Sequence, residues 1–213
     1  MLTEKRKYCI IMLPQNYGVV MYKLCKTEQS ATRQREIENC LVDILRTRHY
    51  EDITITEICQ KMNMPRKSFY RYFDGKEGIV QSLVNHLMMD YNEVQVGANN
   101  KNDITIKGEF EVYFGFWKSK QDILSILDRS GLLGNLIDAA TGLAMNEYDY
   151  VRNYLVNSDD EDRIVAYRFV VTGLMTMMIN WYRGGFKESV ETMSRATVKI
   201  ITRPLFENLS RTE

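Results

Sequence analysis

The sequence predicts an all-α fold, on three observations. Proline and glycine are scarce, at 3 and 12 in 213 residues. Apolar residues recur three and four apart through most of the chain, which is the period of one helical face. Alternating runs of β-branched residues, the mark of half-buried strands, are few. The expected organisation is an N-terminal three-helix domain with a helix-turn-helix over 29–75, a helical domain over 76–213, and a weakly ordered extension over 1–28.

Apolar content of 45% and charged content of 26% are those of a soluble globular chain. The formal net charge is zero, yet residues 1–90 hold 14 basic and 11 acidic side chains while 91–213 hold 14 and 17. A basic front on an acidic rear suits a protein that presents one end to a polyanion. Cys9, Cys25, Cys40 and Cys59 show no paired zinc spacing and read as small core residues in a reducing cytoplasm.

In the extension, Glu4 to Lys7 is charged, Tyr8 to Leu13 is apolar, and Pro14, Asn16 and Gly18 break the run. A secretory signal has this outline, but the apolar run is short and no small-residue cleavage site follows. A weakly ordered arm, or sequence upstream of a start at Met21, fits better. Gln29 to Arg48 then reads as a helix with Ile37, Leu41, Ile44 and Leu45 inward and Arg33, Arg35, Glu36 and Glu38 outward.

Thr54 to Met62 is the next helix, opened by a capping hydroxyl and burying Ile55, Ile58, Cys59 and Met62. Asn63 tolerates the left-handed conformation that ends a helix, and Pro65 has its φ already set for a first turn. A second helix, Pro65 to Tyr72, is too short to stand alone in water and must be held by neighbours. Phe69 and Phe73 dock it inward, which leaves Arg66, Lys67, Ser68, Tyr70, Arg71 and Tyr72 outward. From Lys61 to Lys76 there are five basic residues against one acid, Asp74. A solvated helical face is the bland reading. Two helices across a tight turn, the second basic and rich in hydroxyls, is the arrangement that lays a recognition helix in the major groove.

Here the sequence resembles the TetR-type transcriptional regulators, from about Arg33 to Ile79. The resemblance is carried by the first helix, by His49-Tyr50-Glu51-Asp52-Ile53-Thr54, by Ile58 and Met64, and by Ser68-Phe69-Tyr70-Arg71-Tyr72-Phe73 followed by Lys76-Glu77. The family commonly has glycine where His49, Asn63 and Lys67 stand, alanine at Cys59, serine at Pro65 and leucine at Phe69. On this reading Lys67, Ser68, Tyr70 and Arg71 approach bases beside Arg66, while Thr54, Thr56, Tyr72 and Lys76 hold phosphates of a near-palindromic operator.

Lys76 to about Val96 is a helix with Ile79, Val80, Leu83, Val84, Leu87, Met88 and Tyr91 apolar, and Gly97 to Asp103 is a boundary. Helices follow at about 104–119, 121–130, 132–156, 163–183 and 187–209, broken at Gly131, at Asn157 to Asp160 and at Gly184-Gly185. The helix from Arg163 to Arg183 is apolar nearly all round and needs burial on more than one side. A membrane span is the sharper reading of its length, against which Arg168 stands. With the following helix, which carries Val190, Met193, Val198, Ile201 and Leu205, it looks like half of a four-helix homodimer interface, as in the resembled family. Phe114 to Asp128 and Gly173 to Met193 look like the C-terminal region of the TetR subgroup that includes dihydroxyacetone-kinase operon regulators.

No phosphate loop, nucleophile elbow or metal-ligand cluster is present, and neither His49 nor His86 has an evident acid-base partner, so no enzyme, cofactor or metal is expected. Phe110, Tyr113, Phe114, Trp117, Met145, Tyr148, Met175 and Met178 would either line a pocket for a small apolar or amphipathic effector or form plain core. The resemblance implies a cytoplasmic homodimeric repressor whose effector changes the spacing of its two recognition helices. An activator, or a protein acting through a protein partner, is the alternative.

Overall fold

The computed structural model describes residues 22, 23, 25–99, 105–151 and 160–202. Among them are nine α-helices and one 3-10 turn, and the one β contact is an antiparallel bridge between Tyr22 and Phe73. The chain divides into two compact units, Met1–Met88 with Asp122–Thr176, and Met89–Gln121 with Met177–Glu213. The all-α expectation holds.

Helix α1, Glu28–Leu45, starts at Thr27, whose hydroxyl accepts from the Ser30 amide while the Ser30 hydroxyl accepts from the Thr27 amide. This reciprocal pair satisfies two amides that a helix start leaves open. Ile37, Leu41, Ile44 and Leu45 are buried as their spacing predicts. Glu38 is not outward as expected: it is 1% exposed. The Ser82 hydroxyl donates to Glu38 Oε1 at 2.7 Å, His86 Nδ1 lies 2.9 Å from Oε2, and Arg35 approaches at 3.8 Å. His86 therefore has a carboxylate partner after all, 48 residues away in sequence. A buried carboxylate needs such partners, and here α1 is tied by them to the fourth helix.

After the turn Tyr50–Asp52 come α2, Ile55–Lys61, and α3, Arg66–Phe69. Helix α4 runs Lys76–Asn99, past Gly97, which was expected to open the boundary. One helical glycine weakens a helix without ending it. Ile79, Val80, Leu83, Val84, Leu87 and Met88 are all buried. The first unit continues with α6, Gln121–Arg129, α7, Gly134–Val151, and the start of α8, Asp160–Arg183. Gly131, at φ 69°, supplies the left-handed residue between α6 and α7. The expected break at Asn157 to Asp160 lies outside the described residues except for Asp160, which opens α8.

The second unit holds α5, Ile106–Ser119, the end of α8, and α9, Val190–Thr202. Thr105 caps α5 through the Gly108 amide at 3.2 Å. Helix α8 ends where expected, with Gly185 at φ 78° and Phe186 at φ 54°. Helix α9 packs along α5, and on it Ser194 and Thr197 are buried and turn their hydroxyls back onto the Val190 and Met193 carbonyls. Its apolar Ile200 and Ile201 are exposed instead. Helix α8 behaves likewise: Val165 is 65% and Phe169 71% exposed. Ile164–Arg183 is, among the described residues, one segment long and apolar enough to cross a bilayer, with a mean hydropathy of 1.3.

Candidate nucleic-acid interface

The helix-turn-helix is built from its turn outward. Thr54 caps α2, its hydroxyl accepting from the Glu57 amide at 3.2 Å, while Ile58 and Cys59 are buried beneath. Asn63 takes the left-handed conformation at φ 46°, and the Met64 amide donates back to the Cys59 carbonyl at 2.9 Å. That reversal leads to Pro65, which stands at the N-cap of α3, extended at φ −65° and ψ 141°, so the helix itself begins at Arg66.

Helix α3 is shorter than the expected Pro65 to Tyr72. Its last residues close as turns, with the Arg71 amide on the Ser68 carbonyl and the Tyr72 amide on the Phe69 carbonyl. Past them the Phe73 amide reaches the Phe69 carbonyl at 3.2 Å, and Phe73 forms the antiparallel bridge with Tyr22. Phe69 and Phe73 are wholly buried, their ring centres 5.7 Å apart, and they fix the inner side. Arg66, Lys67, Tyr70 and Arg71 are exposed, and Ser68 and Tyr72 half-buried, so the outward face forms as the spacing predicts. The Tyr70 ring stands edge-on to Phe69 at 5.5 Å, and Arg66 donates to its hydroxyl at 3.3 Å.

Thr56 is exposed on α2. Lys76 is placed differently from the expected phosphate contact. Its ammonium donates to the carbonyls of Tyr50 at 2.8 Å and of Glu51 and Ile53 at 3.2 Å, and sits 4.4 Å from the Tyr50 ring centre. Three acceptors use its three protons. Lys76 therefore fastens the start of α4 to the turn before α2. Burial, with Glu77 and Glu51 adding to it, pushes the Tyr50 phenol far up, so this ring stays neutral under the cation.

The residues expected to line an effector pocket fall into separate groups. Tyr113, Phe114 and Trp117 are buried in the second unit, packed edge to face, with Phe110 half-buried beside them on α5. Sequence reading missed Trp181, whose ring centre is 5.4 Å from that of Phe114, and Tyr91, 5.5 Å from Tyr113. Their partners lie on other helices, where spacing along the chain gives no signal. Burial pushes the Tyr113 phenol up, and the Trp117 indole nitrogen is buried without a hydrogen-bond partner. Met178 is buried in this unit and Met175 in the other. The side chains of Met145 and Tyr148 lie outside the described residues.

Residues 118–203 match a family described as a transcriptional regulator C-terminal region, of TetR type. Among solved structures, the Listeria innocua protein Lin0861 is similar over 88% of this chain and 98% of its own, at 12% identity and a TM-score of 0.64. A TetR transcriptional regulator from Streptococcus agalactiae is 17% identical over 82% of this chain and 96% of its own, with a TM-score of 0.56. The fatty acid degradation regulator FadR from Bacillus halodurans is 14% identical over the same shares, with a TM-score of 0.52. At these identities the likeness is one of fold. No curated protein matches the chain.

Proposed function

We propose that this chain, which resembles the TetR-type transcriptional regulators in its C-terminal region and its fold, is a homodimeric DNA-binding repressor of the cytoplasm. The observation that carries the reading is the outward face of the recognition segment. Lys67, Tyr70 and Arg71 are exposed and Ser68 half-buried, while Phe69 and Phe73 are wholly buried. Long donors and hydroxyls on a short helix and the turn that closes it suit base edges in the major groove. Arg66, Thr56 and Tyr72 flank them toward the phosphates. Lys76 serves the frame rather than the DNA.

Dimerisation through α8 and α9 is supported by Val165 and Phe169 on one helix and Ile200 and Ile201 on the other, large apolar side chains that a single chain leaves in water. A dimer places two readers on half-sites about 34–36 Å apart. The aromatic group around Tyr113, Phe114 and Trp117 is where a small apolar or amphipathic effector would act. By changing that spacing it would release the DNA.

The test is enrichment of duplexes by the protein from a random-sequence pool at a stated salt concentration. A near-palindromic sequence with half-sites one helical turn apart is expected. Binding that is salt-sensitive but enriches no sequence would contradict the reading.

A further inference from the structure

Tyr22 and Lys23 precede α1 and fall outside the segment that the sequence marks as the reader, yet they grip its exit. The Tyr22 backbone pairs with Phe73. The Lys23 amide donates to the Tyr72 carbonyl at 2.7 Å, and its ammonium meets Asp74 at 2.7 Å. Behind them, the Lys23 carbonyl accepts from Gln34 Nε2 at 3.0 Å, and Gln34 Oε1 accepts from the Cys25 thiol at 3.2 Å. The buried Tyr22 hydroxyl accepts from Asn85 Nδ2 of α4 at 3.0 Å. Tyr22, itself before α1, thus joins the end of the recognition segment to α4, while Lys23 beside it is held by Gln34 of α1.

A helix of four residues does not fix its own direction. Its upstream end is set by the turn at Asn63. Its downstream end is set by Tyr22 and Lys23. We propose that Tyr22 is a positioning residue for base reading: with Lys23 it straps the exit of α3, and through Asn85 it registers the pose of α3 against α4. This rests on the DNA-reading function proposed above. Base contacts demand well-placed donors, whereas phosphate contacts made by flexible cations tolerate displacement. Loosening the strap therefore lowers discrimination and spares sequence-independent affinity.

The experiment compares two duplexes, the one that the parent protein enriches and a random-sequence duplex of equal length, at one salt concentration. Full-length parent, Tyr22→Phe and Tyr22→Ala are measured at a temperature where circular dichroism shows each to be folded. The expected result is a specific-to-random affinity ratio lowered about tenfold in Tyr22→Ala, the size of one lost base contact. Random-duplex binding should stay within about twofold of the parent, well inside one contact's worth. Tyr22→Phe keeps the ring and the backbone bridge and should recover part of the ratio. If Tyr22→Ala does not fold, Tyr22→Phe alone decides, since losing only the hydroxyl must still lower the ratio. A parent ratio in the folded variants would overturn the strap while leaving the DNA reading intact. A parent that enriches no duplex removes that reading, and the strap with it.

Discussion

Lys76 looks in sequence like a phosphate clamp, a lysine at a helix start beside a basic segment. The structure turns its three protons onto three carbonyls of one turn. Replacing it with alanine strands those acceptors and removes a charged donor, a loss of about 2 kcal/mol. The unfolding midpoint of Lys76→Ala should fall by roughly 4–8 °C. The salt slope of DNA binding should stay at the parent's, because no phosphate contact is lost. Thermal melting and a salt titration check both, and a flattened slope would return Lys76 to the interface. Glu38 shows the same limit of reading along the chain. Its partners Ser82 and His86 lie 44 and 48 residues away, so nothing local marks it as buried. Glu38→Leu leaves the Ser82 hydroxyl and the imidazole without their acceptor, and should destabilise by about 1–3 kcal/mol in chemical unfolding. Wild-type stability in that variant would mean that water replaces the carboxylate.

Among the elements, those with local causes were legible. Thr27, Thr54 and Thr105 each cap the helix that follows, although only the Thr54 cap was read from the sequence. The left-handed turn at Asn63 was foreseen from residue chemistry alone. Its φ of 46° favours glycine over any residue with a Cβ, and asparagine more than most. Asn63→Ala should cost about 1 kcal/mol in equilibrium unfolding, while Asn63→Gly should hold parental stability. Equal losses in both would show that the asparagine amide, not the backbone, matters there. Where elements end under tertiary influence, reading the sequence fell short. Helix α3 stops at Phe69, and four residues on Phe73 bridges to Tyr22, 51 positions earlier, a pairing that spacing along the chain does not mark. Helix α9 buries Ser194 and Thr197 while Ile200 and Ile201 are exposed. No periodicity of hydrophobic residues announces that face.

At the scale of the molecule, the all-α class and the basic front were visible in composition and spacing. The proposed second chain has its sequence argument in α8, a helix apolar nearly all round. Val165 and Phe169 remain exposed, as that argument requires. Phe169→Arg should convert a dimer into a monomer in sedimentation, and with one reader per particle should lose most of its affinity for a two-half-site duplex. A Phe169→Arg dimer of unchanged affinity would move the interface elsewhere. The central claim is that the outward face of the recognition segment reads bases. The most direct measurement is the base-preference profile of Tyr70→Ala set beside that of the parent, each obtained by enrichment from the same random pool. The account predicts that preference disappears at the same position in both half-sites and persists at the others. Two identical profiles would contradict it.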